Sequence, residues 1–187
     1  MTGGFTHLDD RLVHEGHFVQ LVEGSFRAPD GTTFVRDIVR SRGAVGVVAI
    51  RYVDDAPHVV LLRQYRPPYD AELIEIPAGV RDVEGEDPAT TAQRELGEEA
   101  GLAAGTISPL GRLYPSPGLT DAITMLFLAT DLHEVPLDAH GPEEEAMEIF
   151  SMPLTDAVAA IERGEIVDAK TVIGVLLAER RLARAEP

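Results

Sequence analysis

Glu95, Glu98 and Glu99 crowd one short stretch of the chain. Residues advance about 100° each around an α-helix, so on a helix the three carboxylates share one arc of ~100°. That arc lies beside the apolar stripe of Ala89, Ala92, Leu96 and Ala100, not opposite it, where a merely solubilising face would be. Like charges one turn apart cost an exposed helix roughly 0.2–0.5 kcal/mol per pair. A sequence shaped only by stability would interleave basic residues, and only Arg94 is at hand. Arg94 can reach Glu98 at i,i+4 and fix its rotamer. Divalent cations would remove the repulsion, and hard ions such as Mg2+ take oxygen ligands while sharing phosphate oxygens with a substrate. The pattern therefore suggests metal-assisted chemistry at phosphate. The bland alternative is a solvated acidic surface.

The elements that must position these groups follow from period and punctuation. Asp87 is a natural N-cap, Pro88 suits the first helical position and Gly101 stops the run, which predicts a helix from Pro88 to about Ala100. Before it, Val13 to Val39 reads as a meander, with Ala28-Pro-Asp-Gly31 as a turn and Thr33 to Val39 as the returning strand. Val45 to Val53, His58 to Tyr65 and Leu73 to Ile76 read as strands, the last stopped by Pro77 and Gly79. After the helix, strands are expected at Thr106 to Leu113, Ile123 to Thr130 and Glu148 to Met152. Two closing helices follow, one capped near Thr155 and ended by Gly164, the other from about Asp168 to Leu182. Strands, an inserted helix, more strands and then helices predict an α+β fold with a mixed sheet and flanking helices.

The 187 residues suffice for one domain with a sizeable core. Acids outnumber bases 32 to 16, a formal charge of -16, which argues against nucleic acid or an anionic membrane surface as partner. It does not argue against a phosphorylated substrate approached through cations. With no cysteine, disulfides, zinc–thiolate sites and thiol nucleophiles are excluded. The longest apolar runs fall far short of the roughly 18 residues of a membrane span, and residues 1–10 lack the layout of a secretory signal. The expectation is a soluble, cytoplasmic protein.

Gly79, Glu86 and then Arg94-Glu95-Leu96-Gly97-Glu98-Glu99-Ala100-Gly101-Leu102 resemble the Nudix box, G-x5-E-x7-R-E-U-x-E-E-x-G-U with U apolar. The fit holds at every position from Glu86 onward; at the front, six residues rather than five separate Gly79 from Glu86, lengthening the loop before the helix. Ile76-Pro77-Ala78-Gly79 before the box resembles the ADP-ribose pyrophosphatase branch. So do Ser116-Pro117-Gly118 after it and the tail Gly164-Glu165-Ile166 with Asp168-Ala169-Lys170-Thr171. The resemblance runs from about Val13 to Leu182. It implies a Nudix domain at 43–187 and an N-terminal meander at 1–42 used in dimerisation. It further implies Mg2+, with Mn2+ as an option, held by Glu95, Glu99, Glu98 and the backbone carbonyl of Ala78, with Glu86 and Arg94 in support. The base in this branch comes from an acidic loop before the last strand, here Gly141-Pro-Glu-Glu-Glu-Ala146. Glu143 is expected as base and Glu145 as auxiliary ligand, with Glu144 the competitor.

The implied reaction is attack of water on the diphosphate bridge of ADP-ribose, giving AMP and ribose 5-phosphate. Arg63 and Arg66 could pair with the diphosphate. Gly79, Arg36 and Phe18 are further substrate-contact candidates, with Arg36 and Phe18 reaching across a homodimer, and Ser116 to Gly118 would lie near the terminal ribose. The branch often has a glutamate soon after Ser-Pro-Gly, a place where this chain offers Asp121. Two alternatives stay open: another nucleoside diphosphate sugar, such as a UDP- or GDP-sugar, or a non-catalytic ADP-ribose-binding regulator. A plain calcium-collecting domain is disfavoured, because the EF-hand spacing is missing.

Overall fold

The computed structural model describes residues 3–138 and 140–184. They fall into two compact units, one made of the chain up to Gly43 with Tyr114–Ile123, the other of Ala44–Leu113 with Thr124 onward.

The first unit is an antiparallel meander of β1 (Thr6–Glu15), β2 (Val19–Arg27) and β3 (Thr33–Ser41), in that spatial order. The turn before β3 is the expected one: Gly31 has φ 88° and donates its N–H to Ala28 O at 2.9 Å. The first strand begins earlier than the expected Val13. It is exposed almost throughout, so burial imposes no apolar–polar alternation on its sequence. Tyr114–Ile123 is tied to this sheet: Val39 N–H donates to Leu119 O at 2.9 Å, and the Thr120 hydroxyl donates to Val39 O at 2.7 Å.

The second unit runs β4 (Ala44–Val53), β5 (Ala56–Arg66), β6 (Ala71–Glu75), β7 (Ala78–Val80), α1 (Pro88–Ala100), β8 (Leu102–Leu113) and β9 (Thr124–Glu134). It continues with α2 (Pro142–Glu145), β10 (Glu148–Pro153), α3 (Leu154–Glu162) and α4 (Ala169–Leu182). The sheet order is β10-β5-β4-β9-β8, with β6 beside β5 and β7 beside β4. Only β4 and β9 run parallel, so the sheet is mixed and the class α+β.

Alternation along β4 divides its side chains between two cores. Val48 and Ile50 pack with Leu154 and Ala157 of α3 and Val175 and Ala178 of α4. Val45, Val47 and Ala49 pack with Ala92, Leu96 and Ala100 of α1. Each such Val, Leu or Ile contributes roughly 1.5–3 kcal/mol by leaving water. The sheet is thus sandwiched between α1 and the α3–α4 pair. The third helix starts after Pro153 with no side-chain cap, so Thr155 sits inside the first turn instead of capping it. Asp168 caps α4 by accepting from Thr171 N–H, as its sequence position suggests. Among the described residues no helix is long and apolar enough to cross a membrane.

Candidate active site

The first helix forms as its punctuation predicts. The Asp87 side chain accepts from Ala89 N–H, Pro88 stands in the first turn and Gly101 ends the helix at φ 62° in the left-handed region. Its buried face is Thr91, Ala92, Glu95, Leu96, Glu99 and Ala100. Two of the three clustered glutamates therefore point inward, Glu95 at 8% and Glu99 at 5% exposure. Each has a seat on the Pro77–Val80 segment. Ala78 N–H donates to Glu99 Oε2 at 2.7 Å. Gly79 faces Glu95 so closely that a Cβ there would stand 2.0 Å from the carboxyl carbon, so any side chain at 79 would displace the Glu95 carboxyl from this seat. Ala78, expected to offer its carbonyl, engages Glu99 through its N–H, and Gly79 serves a carboxylate of this chain.

Burial pushes the Glu99 carboxyl up to about 8, with Ala78 N–H opposing and the charges of Glu95 and Glu144 adding to it. Burial likewise raises Glu95 to about 7, against the pull of the Arg94 guanidinium. Arg94 Nη1 lies between Glu95 at 2.9 Å and Glu98 at 2.8 Å, and Nη2 reaches Asp82 at 3.2 Å. Glu86 Oε2 accepts from the Thr91 hydroxyl at 2.8 Å and lies 3.6 Å from Arg94, a supporting place. Among the described residues no three acid or imidazole side chains meet ready to ligate a cation, and Arg94 Nη1 pairs with both Glu95 and Glu98. The donor chemistry nevertheless fits a hard cation: all the donors are oxygens, two of the three carboxyls are buried, and a cation beside them would offset the burial that raises their pKa values.

Three further groups lie in the same unit. In α2, Glu143 and Glu145 are exposed while Glu144 is half-buried, accepts from His140 N–H at 2.6 Å, and is the loop acid whose charge weighs most on Glu95 and Glu99. Arg63 pairs across the β5–β10 ladder with Glu148 at 3.0 Å and lies over the Phe150 ring at 5.7 Å. Arg66, expected on the diphosphate, donates from Nε and Nη2 to Glu75 at 2.7 and 2.6 Å. Burial alone would raise the Glu75 carboxyl, but Arg66 and Lys170 outweigh it and hold it below its usual value.

The remaining candidates belong to the meander unit. Arg36 and Gly118 line a cavity of about 450 Å³ together with Phe5, Phe26, Phe34 and Arg40. The Arg36 guanidinium stands 4.8 Å from the Phe34 ring centroid, and Phe34 stacks on Phe26. Phe18 lines a different hollow, with His17, Arg40 and Arg42. Ser116 O accepts from Leu119 and Thr120 N–H and so shapes the loop. Asp121 is engaged by its own unit: its carboxylate takes Arg40 Nη1 at 3.1 Å and Ser41 N–H at 3.0 Å.

A family model for the NUDIX domain matches residues 40–173. The chain belongs to the Nudix family. An ADP-ribose pyrophosphatase of Mycobacterium tuberculosis is 38% identical over 172 residues, covering 92% of this chain and 82% of that protein. An ADP-ribose pyrophosphatase of Bacillus subtilis is 34% identical over 163 residues, covering 87% and 86%. A crystal structure titled as an ADP compounds hydrolase superposes with a TM-score of 0.83 at 23% identity, covering 97% of this chain and 96% of that one, a likeness of fold.

Sequence reasoning about this Nudix protein missed three features of the site. Asp82, in the lengthened loop, reaches Arg94, and only its place in an acidic stretch could have suggested it. Glu75 and Lys170 meet across the fold, and the similarity of the tail around Lys170 to the family was the one available signal.

Proposed function

We propose that this Nudix protein hydrolyses the diphosphate bridge of ADP-ribose to AMP and ribose 5-phosphate. The observation that carries the reading is the inward-facing pair Glu95 and Glu99, seated on Gly79 and Ala78 with raised pKa values. Two relatives at 34% and 38% identity bear the name of that activity.

Glu95, Glu99 and Glu98 would hold Mg2+, or Mn2+, once Arg94 moves aside from the first and third. The cation supplies neutralisation of the phosphate oxygens and alignment of the attack. In the hydrolytic step the oxygen of water bonds to phosphorus, the bridging oxygen departs with the other phosphate, and a carboxylate takes the proton of water. We assign that proton to Glu144 in preference to Glu143, because Glu144 is the half-buried acid of α2 whose charge reaches Glu95 and Glu99. Glu143 and Glu145 are exposed on the same short helix and serve as the comparison. In the cation-free protein Arg94 holds Glu95 and Glu98 in place, and Glu86 supports it from 3.6 Å. Arg36, Gly118, Ser116 and Phe18 are proposed for the nucleoside and ribose ends, in a cytoplasmic homodimer.

The test is a panel of ADP-ribose, UDP- and GDP-sugars with and without Mg2+, scoring products. ADP-ribose should be cleaved fastest and only with the cation. Glu144→Gln should cut turnover by about 100-fold or more with cation affinity retained, whereas Glu143→Gln should change it little. The opposite ranking would return the role to Glu143.

A further inference from the structure

Every Lys or Arg position among the 16 in this chain is arginine except one, Lys170. Its side chain is only 15% exposed, and its ammonium donates to Glu75 Oε2 and, at 3.0 Å, to Asp168 Oδ2. That same Asp168 oxygen accepts from the N–H and the hydroxyl of Thr171 at 3.0 and 2.6 Å. The Thr171 oxygen in turn accepts from Ile76 N–H at 2.9 Å. The first turn of α4 thus grips residues 75 and 76, immediately ahead of the Ala78 and Gly79 seats.

On its other side Glu75, 2% exposed, takes two donors from a single edge of Arg66. Nη1 of Arg66 makes no hydrogen bond among the described residues, and the side chain is 36% exposed. A guanidinium is a rigid fork with two usable edges, and an edge fixed by a buried carboxylate orients the opposite edge with little rotamer entropy left to lose. A compact ammonium with three rotatable donors can satisfy two carboxylates at once, which suits lysine at this position.

We propose that Lys170 and Glu75 are positioning residues: Lys170 anchors Glu75, and Glu75 holds Arg66 so that its outer edge receives the substrate diphosphate. The choice of ligand rests on the function proposed above; the clamp itself rests on the hydrogen bonds just described. The four residues Arg66, Glu75, Asp168 and Lys170 act as one unit, so their effects on diphosphate binding are non-additive.

The test is a double-mutant cycle on binding of α,β-methylene-ADP, a diphosphate with no cleavable bridge, measured by calorimetry in Mg2+. Lys170→Met and Arg66→Ala should each weaken affinity by about 10-fold or more, and the double variant should bind no more weakly than Arg66→Ala alone. Lys170→Arg, which keeps the charge on Glu75, should restore most of the affinity. Glu75→Gln, which keeps the side-chain shape, gives a second route to the same loss if Lys170→Met fails to fold by circular dichroism. Additive losses, unchanged affinity in folded Lys170→Met, or no binding by the unmodified protein would overturn the clamp. Cleavage of ADP-ribose by the unmodified protein is scored separately. An intact cycle without cleavage defeats the proposed function and leaves the clamp standing; cleavage with an additive cycle does the reverse.

Discussion

At Glu99 and Glu95 burial opposes charge, and the consequence is measurable without substrate. Folding raises their pKa values from 4.5 to about 8 and about 7, so between pH 4.5 and 8 the folded, cation-free protein binds more protons than the unfolded chain. Its stability should therefore fall as pH rises through that window and level off above it, which denaturant titrations at several pH values will check. Cation binding must displace those protons. Calorimetric titration with Mg2+ near pH 7 in two buffers of different ionisation enthalpy should report proton release. Glu99→Gln removes the group whose burial is penalised, so it should stabilise the cation-free protein at pH 8 while reducing Mg2+-dependent turnover by about 100-fold or more. Gly79→Ala should be similarly damaging by another route. Its Cβ would stand 2.0 Å from the Glu95 carboxyl carbon, so Glu95 must leave its seat, which crystallography and a weaker cation affinity would both register.

At the scale of elements, α1 was legible because every device that makes it is local: cap, first-turn proline, apolar spacing and left-handed stop. Gly97 inside it is a different matter. A Cβ there would meet only Leu102 O and Val135 Cγ2, both at 3.8 Å, which is ordinary contact. Nothing spatial requires glycine, and Gly97→Ala should raise stability by ~0.5–1 kcal/mol, read as a higher unfolding midpoint. The part of β1 before Val13 was not legible, because an exposed strand carries no alternation to read. The strands β8 and β9 extend beyond their expected limits to Leu102 and Glu134; these ends pair with each other, and their few apolar residues, Leu102, Ala104 and Leu132, find their core only against α1 and β4, a tertiary contact that local sequence does not announce. Glu75 and Lys170 were not legible as a pair because they are distant in the chain, and a glutamate in a short strand reads as solvent-facing until the fold buries it. The acids of α2 were legible as a group but not individually. Their sequence is uniform, and only the turn of the helix makes Glu144 the half-buried one.

Across the whole molecule, a net charge of -16 keeps copies apart unless a patch overcomes it. The meander exposes apolar side chains on both of its faces, Leu12 at 50% on one and Val35 at 51% on the other, with Phe18 at 75% between β1 and β2. On the proposed homodimer, sedimentation should show a dimer that high salt leaves intact or strengthens, and Leu12→Asp with Val35→Asp should yield monomers.

The single parallel pair in the sheet has a kinetic consequence. Ala44 of β4 pairs with Thr124 of β9, so the chain must close a loop containing β5 through β8 before these neighbours can meet. Topologies dominated by such distant pairings fold slowly, because loop-closure entropy precedes any reward from contact. The Ala78–Gly79 seats and α1 all lie within that loop. On refolding from denaturant, helical signal should therefore return early, while the capacity to bind cation should return only with the slowest phase.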